Sequence, residues 1–239
     1  MVDAKFGQPR LAAVYDAFDS DRSDLEHYAA MVTEFGARHI LDVGCGTGEF
    51  ACLMAGQGVD VVGVDPAEAS LEVAKGKEYA DRVRWIHGDA TSLPPLQVDL
   101  AVMTGNVAQV FLTNDDWLAT VAGVREALKP GGRFVFETRD PAHRVWEEWG
   151  QWTRENTREV KTVNGESVET WGELTGVELP YVSFRGTYVF ESDGAVFTSD
   201  STLWFRERDE VELPGFRVDE VREAPDRPGK EFVFVATRL

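Results

Sequence analysis

Leu25, Tyr28, Ala29, Val32 and Phe35 recur at three- and four-residue intervals, the spacing of one face of a helix. Ser23-Asp24-Leu25-Glu26 ahead of them has the form of a capping box, and Gly36 closes the run. The period then shortens. Ile40-Leu41-Asp42-Val43 reads as a buried strand, a glycine-rich turn follows, and the apolar stretch from Phe50 to Ala55 reads as helix. The alternation repeats with a second strand at Val59–Val64, a helix from Pro66 to Lys75, a third strand at Val83–Ile86 and a fourth at Val98–Met103. A helix from Asp115 to Leu128, with Asn114 as its N-cap, ends at Lys129-Pro130-Gly131-Gly132, and Phe134-Val135-Phe136 makes a fifth strand. Strand and helix alternating at this spacing predict an α/β fold, a doubly wound, mostly parallel sheet covered on both faces.

The texture changes after Trp152. Asn164-Gly165 and Asp193-Gly194 each separate runs of alternating polar and apolar residues, which predicts two hairpins and an antiparallel insertion over about 155–206. Phe216–Val221 and Glu231–Thr237 then read as two strands that complete a seven-stranded sheet. The expected organisation is a core with N-terminal helices over 1–150, an antiparallel β insertion over 151–206 after the fifth strand, and the closing strands over 207–239. Between Glu207-Arg208-Asp209-Glu210-Val211 and Pro214-Gly215 there is no room for a full helix before the sixth strand, which leaves a place for a partner subunit in a homodimer.

Composition narrows the function. With 42 acidic against 24 basic side chains the net charge is -18, and no Lys/Arg stripe is present to neutralise phosphates, so nucleic acid is not expected as a partner. The first residues lack a signal-peptide core and no apolar run approaches the roughly 20 residues that span a bilayer. No membrane association and a cytoplasmic location are expected. Cys45 and Cys52 lie outside any zinc spacing, so no metal site is expected either.

Chemistry concentrates at the strand ends. Asp42-Val43-Gly44-Cys45-Gly46-Thr47-Gly48 joins the first strand to the next helix, where glycines let a ligand approach the backbone at a helix N-terminus. Glu49 stands where the dinucleotide fingerprint needs its third glycine, and the Asp42 carboxylate would repel a pyrophosphate but attract an ammonium group. Asp65 ends the second strand, placed to accept from ribose hydroxyls, and Asp89 follows the third, placed to accept from an exocyclic adenine amine.

With Val64-Asp65-Pro66, Gly88-Asp89-Ala90 and Leu128-Lys129-Pro130-Gly131-Gly132, the run Ile40–Gly48 resembles the class I S-adenosylmethionine (AdoMet)-dependent methyltransferases of small-molecule type over roughly residues 25–140. The resemblance implies a Rossmann-like fold, AdoMet as cofactor and methyl transfer to a small molecule. It implies cofactor contacts from Asp42, Gly44, Gly46 and Gly48, from Asp65 with Pro66, and from Asp89 with Ala90. The turn Thr104-Gly105-Asn106 lies where such enzymes bring the methyl group to substrate, so Gly105 joins the cofactor set and Asn106 is a candidate catalytic residue. This turn lacks the Asn/Asp-Pro-Pro-aromatic sequence used on planar amides and DNA amines. Tyr15 is the second catalytic candidate, as an N-terminal aromatic that closes over the methionine end.

Trp146, Trp149, Trp152, Trp171 and Trp204 crowd the region after the fifth strand, as core of the small sheet or as lining of a substrate pocket. Arg139, Asp140 and His143 are in reach of the same cleft. N- or O-methylation by in-line transfer needs orientation more than a base, and no convincing base is visible. The alternatives are a non-catalytic AdoMet sensor or scaffold and, more remotely, a nicotinamide-dependent oxidoreductase.

Overall fold

The computed structural model describes residues 2–239. Helices α1 (Ala4–Gly7), α2 (Pro9–Phe18) and α3 (Asp24–Glu34) precede the sheet. The core alternates β1 (His39–Val43), α4 (Glu49–Gly56), β2 (Asp60–Asp65), α5 (Glu68–Lys75), β3 (Val83–His87), β4 (Val98–Met103), α6 (Asn114–Ala127) and β5 (Leu128–Arg139). Helical turns α7 (Trp146–Trp149) and α8 (Arg154–Thr157) lead to β6 (Glu159–Val163), β7 (Glu166–Glu178), β8 (Tyr181–Phe190) and β9 (Val196–Trp204). Strands β10 (Phe216–Glu223) and β11 (Glu231–Arg238) come last.

The large sheet has seven strands in the order β10-β11-β5-β4-β1-β2-β3. Strand β1 pairs in parallel with β2 and β4, and β5 in parallel with β4, whereas β11 runs antiparallel to both β5 and β10. This is the Rossmann-like, mostly parallel architecture expected. The strand order reverses between β1 and β4, and a crevice opens there at the C-terminal ends of the strands.

Successive side chains of β1 point to opposite faces and seed two apolar layers. Ile40 packs with Leu25, Tyr28 and Val32 of α3 and with Phe50 and Met54 of α4. Leu41 and Val43 pack on the other face with Trp117, Val121 and Val124 of α6 and with Phe134 and Phe136. Trp117 is fully buried, and its indole N–H donates to the Glu212 carbonyl at 2.8 Å, so the irregular segment before β10 occupies the place of the missing helix. The insertion forms a separate sheet of four antiparallel strands, β6-β7-β8-β9.

Four local expectations need correction. Ser23 does not cap α3: its backbone is already helical, and its hydroxyl donates to Asp21 instead. Thr113, not Asn114, caps α6, accepting from the Asp116 amide at 3.1 Å. A third turn at Leu179-Pro180 joins β7 to β8, beyond the hairpins at Asn164-Gly165 and Asp193-Gly194. The segment holding Tyr15 reads as preceding the first helix, yet it lies within a helix, α2, whose start is set by Pro9 at its first position and by the Gln8 side chain accepting from the Arg10 and Leu11 amides.

Helix α6 lies so close to the turn after β3 that a Cβ built on Gly123 would stand 1.9 Å from the Ala90 carbonyl oxygen. Gly123→Ala is expected to destabilise the fold by about 1–3 kcal/mol through overpacking, read as a lower urea midpoint at unchanged m-value. An unaltered midpoint would show that the helix has room to move.

Candidate active site

Asp42 sits in the middle of the sheet, opposite Gly63 on β2 and Val102 on β4, and is 1% exposed. Its Oδ2 is buried without a hydrogen-bond partner. Burial, reinforced by the nearby Asp65 carboxylate, pushes its pKa up to about 7. A buried carboxylate oxygen without a donor is costly unless a ligand supplies one.

The turn after Asp42 is tied to β2, with the Gly44 and Cys45 amides donating to the Val64 carbonyl at 2.9 and 3.1 Å. Gly46 and Gly48 both have left-handed backbones, at φ 53° and 80°, but for different reasons. A Cβ on Gly46 would meet nothing within 4 Å, because that position faces the cleft. A Cβ on Gly48 would stand 2.6 Å from the Trp85 ring and 2.8 Å from Ala74, so that glycine serves packing.

Asp65, at the tip of β2, accepts from the Gly46 amide at 2.8 Å and from the Ala67 amide at 2.7 Å, one on each oxygen. It shapes the glycine turn and the start of α5 while each oxygen keeps a second lone pair. Asp89 is exposed and caps its own turn, accepting from the Thr91 amide at 2.8 Å, with Pro66 exposed and Ala90 buried nearby.

The crevice is a cleft of about 390 Å³ lined by Tyr15, Asp42, Gly44, Gly46, Gly105 and Asn106 among others. Gly48, Asp65, Pro66, Asp89 and Ala90 are not part of that lining; they follow the same sheet edge outward over β2 and β3. Asn106 is 3% exposed, holds a left-handed backbone at φ 60°, and has a buried Oδ1 without a partner. Two orphaned acceptors, on Asp42 and Asn106, thus belong to one cleft.

Asn106 is held from behind by two buried glutamates. Its amide donates to Glu137 at 2.9 Å and its side-chain nitrogen to Glu231 at 3.2 Å. The Tyr28 hydroxyl also donates to Glu137, while Arg227 pairs with Glu231 at 2.8 Å. Burial, then the adjacent Glu231, raise the Glu137 pKa, so Glu137 retains a proton more readily than an ordinary carboxylate does.

The N-terminal segment closes the cleft from above. Asp16 on α2 accepts from the Thr47 hydroxyl at 2.5 Å and pairs with Lys77 at 2.7 Å, which pins the helix to the glycine turn. The Lys5 amide and Lys161 ammonium tie the same segment to the insertion, through Ser199 at 2.9 Å and the Ala17 carbonyl at 2.7 Å. Tyr15 packs on Phe6 with ring centroids 5.2 Å apart, and its hydroxyl donates to Asp19 at 3.0 Å. Burial and Asp19 push the Tyr15 pKa well above its ordinary value, so this phenol is a contact surface rather than a base.

Against the cleft lies a larger cavity of about 880 Å³, floored by the small sheet and walled by Trp149, Trp152, Trp171, Phe184 and Tyr188. Lys5, Phe18, Arg139, Phe184 and Ser201 line both spaces, so the two adjoin.

A family model for a methyltransferase domain matches residues 40–132. Among curated proteins, the chain is 32% identical over 106 residues to the cypemycin N-terminal methyltransferase of Streptomyces sp, covering 44% of this chain and 43% of that protein. The matched stretch therefore spans less than half of that relative. Among solved structures, an S-adenosylmethionine-dependent methyltransferase from Clostridium acetobutylicum superposes with a TM-score of 0.75 at 16% identity, covering 96% of this chain and 98% of that one. An amino pentose methyltransferase from Micromonospora echinaspora, with SAM bound, superposes with a TM-score of 0.71 at 21% identity over 95% and 97%. Residues 40–132 thus match a methyltransferase domain, and nearly the whole chain shares the fold of these two solved structures.

Within this methyltransferase domain the sequence had pointed to the glycine turn and the strand-end acids, but not to the groups behind and above them. Lys5, Glu137 and Glu231 carry no motif. Glu137 and Glu231 had one available signal, since each is a charged residue in an apolar strand that otherwise reads as buried. His143 lies on a short turn beside Glu148 at 3.3 Å and lines the larger cavity. Trp146 and Trp149 do pack in the small core with Phe205, while Trp204 is stacked under Arg206 at 3.7 Å. Among the described residues no cluster of His, Cys, Asp and Glu is arranged for a metal, and no helix is long and apolar enough to cross a membrane.

The two glycines separate folding from binding. Gly46→Ala is expected to cost about 1–2 kcal/mol of stability, the left-handed penalty alone, yet to weaken S-adenosylhomocysteine binding at least about tenfold because the methyl enters the cleft. Gly48→Ala should lose more stability than Gly46→Ala in ligand-free melting, since it adds the clash with Trp85. Equal melting losses together with equal affinities would refute the assignment.

Proposed function

We propose that this chain transfers a methyl group from AdoMet to a small-molecule acceptor, methylating nitrogen or oxygen by in-line displacement. The observation that carries the proposal is the pair of unpartnered buried acceptors, Asp42 Oδ2 and Asn106 Oδ1, on a cleft whose glycine turn leaves Gly46 open. An ammonium group offers the donors that both oxygens lack, and its charge is the one a buried carboxylate attracts. AdoMet, when bound, supplies that ammonium and a methyl group on a sulfonium that a nucleophile displaces without prior activation.

The residues of the chain then bind, orient and exclude water. Asp42 and Asn106 hold the amino-acid end, Gly44, Gly46 and Gly105 let the backbone approach, and Asp65 with Pro66 serves the ribose. Asp89, with Ala90, marks the adenine side, where its carboxylate orders the turn through Thr91. Glu137 and Glu231 fix the Asn106 turn. Tyr15 covers the cleft, and the aromatic insertion serves as substrate cover. The Tyr15 phenol, held protonated by burial, does not serve as a base, which favours an acceptor that arrives as a neutral amine or an existing oxyanion, with rate gained from alignment.

The test is turnover: transfer of label from methyl-tritiated AdoMet to a panel of small amines and hydroxy acids. Product formation supports the proposal. Binding of AdoMet without transfer to any acceptor would favour a sensor, and failure to bind AdoMet would refute both.

Asp42 also sets a pH signature. Its folded pKa of about 7 lies above the ordinary 3.8, so its contribution to stability is present below that ordinary value and is lost as pH rises through about 7. An ammonium placed beside it reverses the shift, so binding at pH 6 is expected to release most of one proton. Calorimetry in buffers of different ionisation enthalpy measures this, and Asp42→Asn should abolish the release while weakening affinity. Proton release of unchanged size in the variant would assign it to another group.

A further inference from the structure

Where the two cavities adjoin, two cations converge without full neutralisation. Lys5 lines both spaces, and its ammonium lies 4.8 Å from the Phe6 ring centroid and 5.3 Å from that of Phe184. Among the described residues it forms neither a side-chain hydrogen bond nor an ion pair. The carboxylates around it are already engaged: Asp3 accepts from the Ser201 hydroxyl, Asp19 from Tyr15, and Glu231 from Arg227 and Asn106. Arg139 stacks 5.4 Å from the Trp149 ring centroid, donates to the neutral Gln109 side chain at 2.9 Å, and stays 3.8 Å from Glu231. Burial lowers the pKa of both cations; at Lys5 the Asp3 carboxylate opposes this in part, and repulsion from Arg139 adds to it.

Resting on the methyl-transfer reading, we propose that the larger cavity is the acceptor site and takes a ring-bearing small molecule with a carboxylate or phosphate group, which Lys5 and Arg139 hold where the cavities meet. An anion there satisfies donors that the protein leaves free and relieves the repulsion between the two cations. Trp149, Trp152 and Phe184 supply flat apolar surface for the ring. The charge thus anchors one end of the acceptor at the boundary with the cofactor cleft. Arg139 stays protonated at neutral pH, so it binds an anion rather than acting as a base.

The experiment uses the full chain saturated with S-adenosylhomocysteine and follows tryptophan fluorescence during titration with 4-aminobenzoate, phenyl phosphate and the uncharged 4-aminobenzamide. At least one anion is expected to bind at least about tenfold more tightly than the amide, the worth of one charge-assisted hydrogen bond. Whichever anion binds more tightly names the preferred group. Lys5→Met should shrink the preference to within about twofold, and Lys5→Arg should keep it. Equal binding of amide and anions, no saturation by any of the three, or an undiminished preference in Lys5→Met would overturn the proposal. Calorimetric titration of S-adenosylhomocysteine on the same samples keeps the two readings apart. If it fails to bind, the cofactor reading falls, and the anion preference is then scored on the ligand-free protein; if it binds and the preference is absent, only the acceptor proposal falls.

Discussion

Strands β1 and β4 are neighbours at the point where the sheet order reverses, so the loops at their C-terminal ends leave in opposite directions and cannot close over one another. Every functional feature of the chain follows from that open crevice. Asp42 at the end of β1 and Asn106 just past β4 stand on its two sides, and a mostly parallel sheet with apolar layers on both faces holds them there. Because Asp42 is buried beside Asp65, its charge is costly in the ligand-free protein, and that cost is released when a cation arrives.

The other walls are recruited from distant parts of the chain. Helix α2 is tied to the glycine turn through Asp16, Thr47 and Lys77 and to the insertion through Lys161, while Lys5 of α1 reaches Ser199, so the N-terminal segment joins the core to the small sheet. The small sheet adds an aromatic chamber beside the cleft. Behind Asn106, Tyr28, Glu137 and Glu231 form a buried polar network, closed at the surface by the exposed Arg227, whose members mostly satisfy one another, which is what lets a non-glycine residue keep a left-handed backbone at that turn. The orphaned oxygens belong to residues that line the cleft.

Much of the fold was legible because its signals are local. Short apolar runs marked the core strands, helical spacing gave α3, and Asn-Gly and Asp-Gly between alternating residues marked two of the three hairpins of the insertion. The errors were local too. At Ser23 and Asn114 several short polar side chains compete for the same role, and a neighbouring residue, Asp21 or Thr113, prevailed through its backbone position. Helix α2 was missed although Gln8-Pro9 marks its start, because its apolar residues face the insertion rather than the sheet.

The sequence by itself determined the order of strands and helices, the glycine turn and the acids at successive strand tips, since turn chemistry and side-chain periodicity depend only on near neighbours in the chain. Only the tertiary structure decided that Gly46 rather than Gly48 opens on the cleft, that Asp42 keeps an oxygen without a donor, and that Lys5 and Arg139 both line the boundary of two cavities. Those are questions of which groups are desolvated together and which are left unpaired. They are settled by residues far apart in the chain, as when Lys5 reaches the wall built by Phe184 and Ser201.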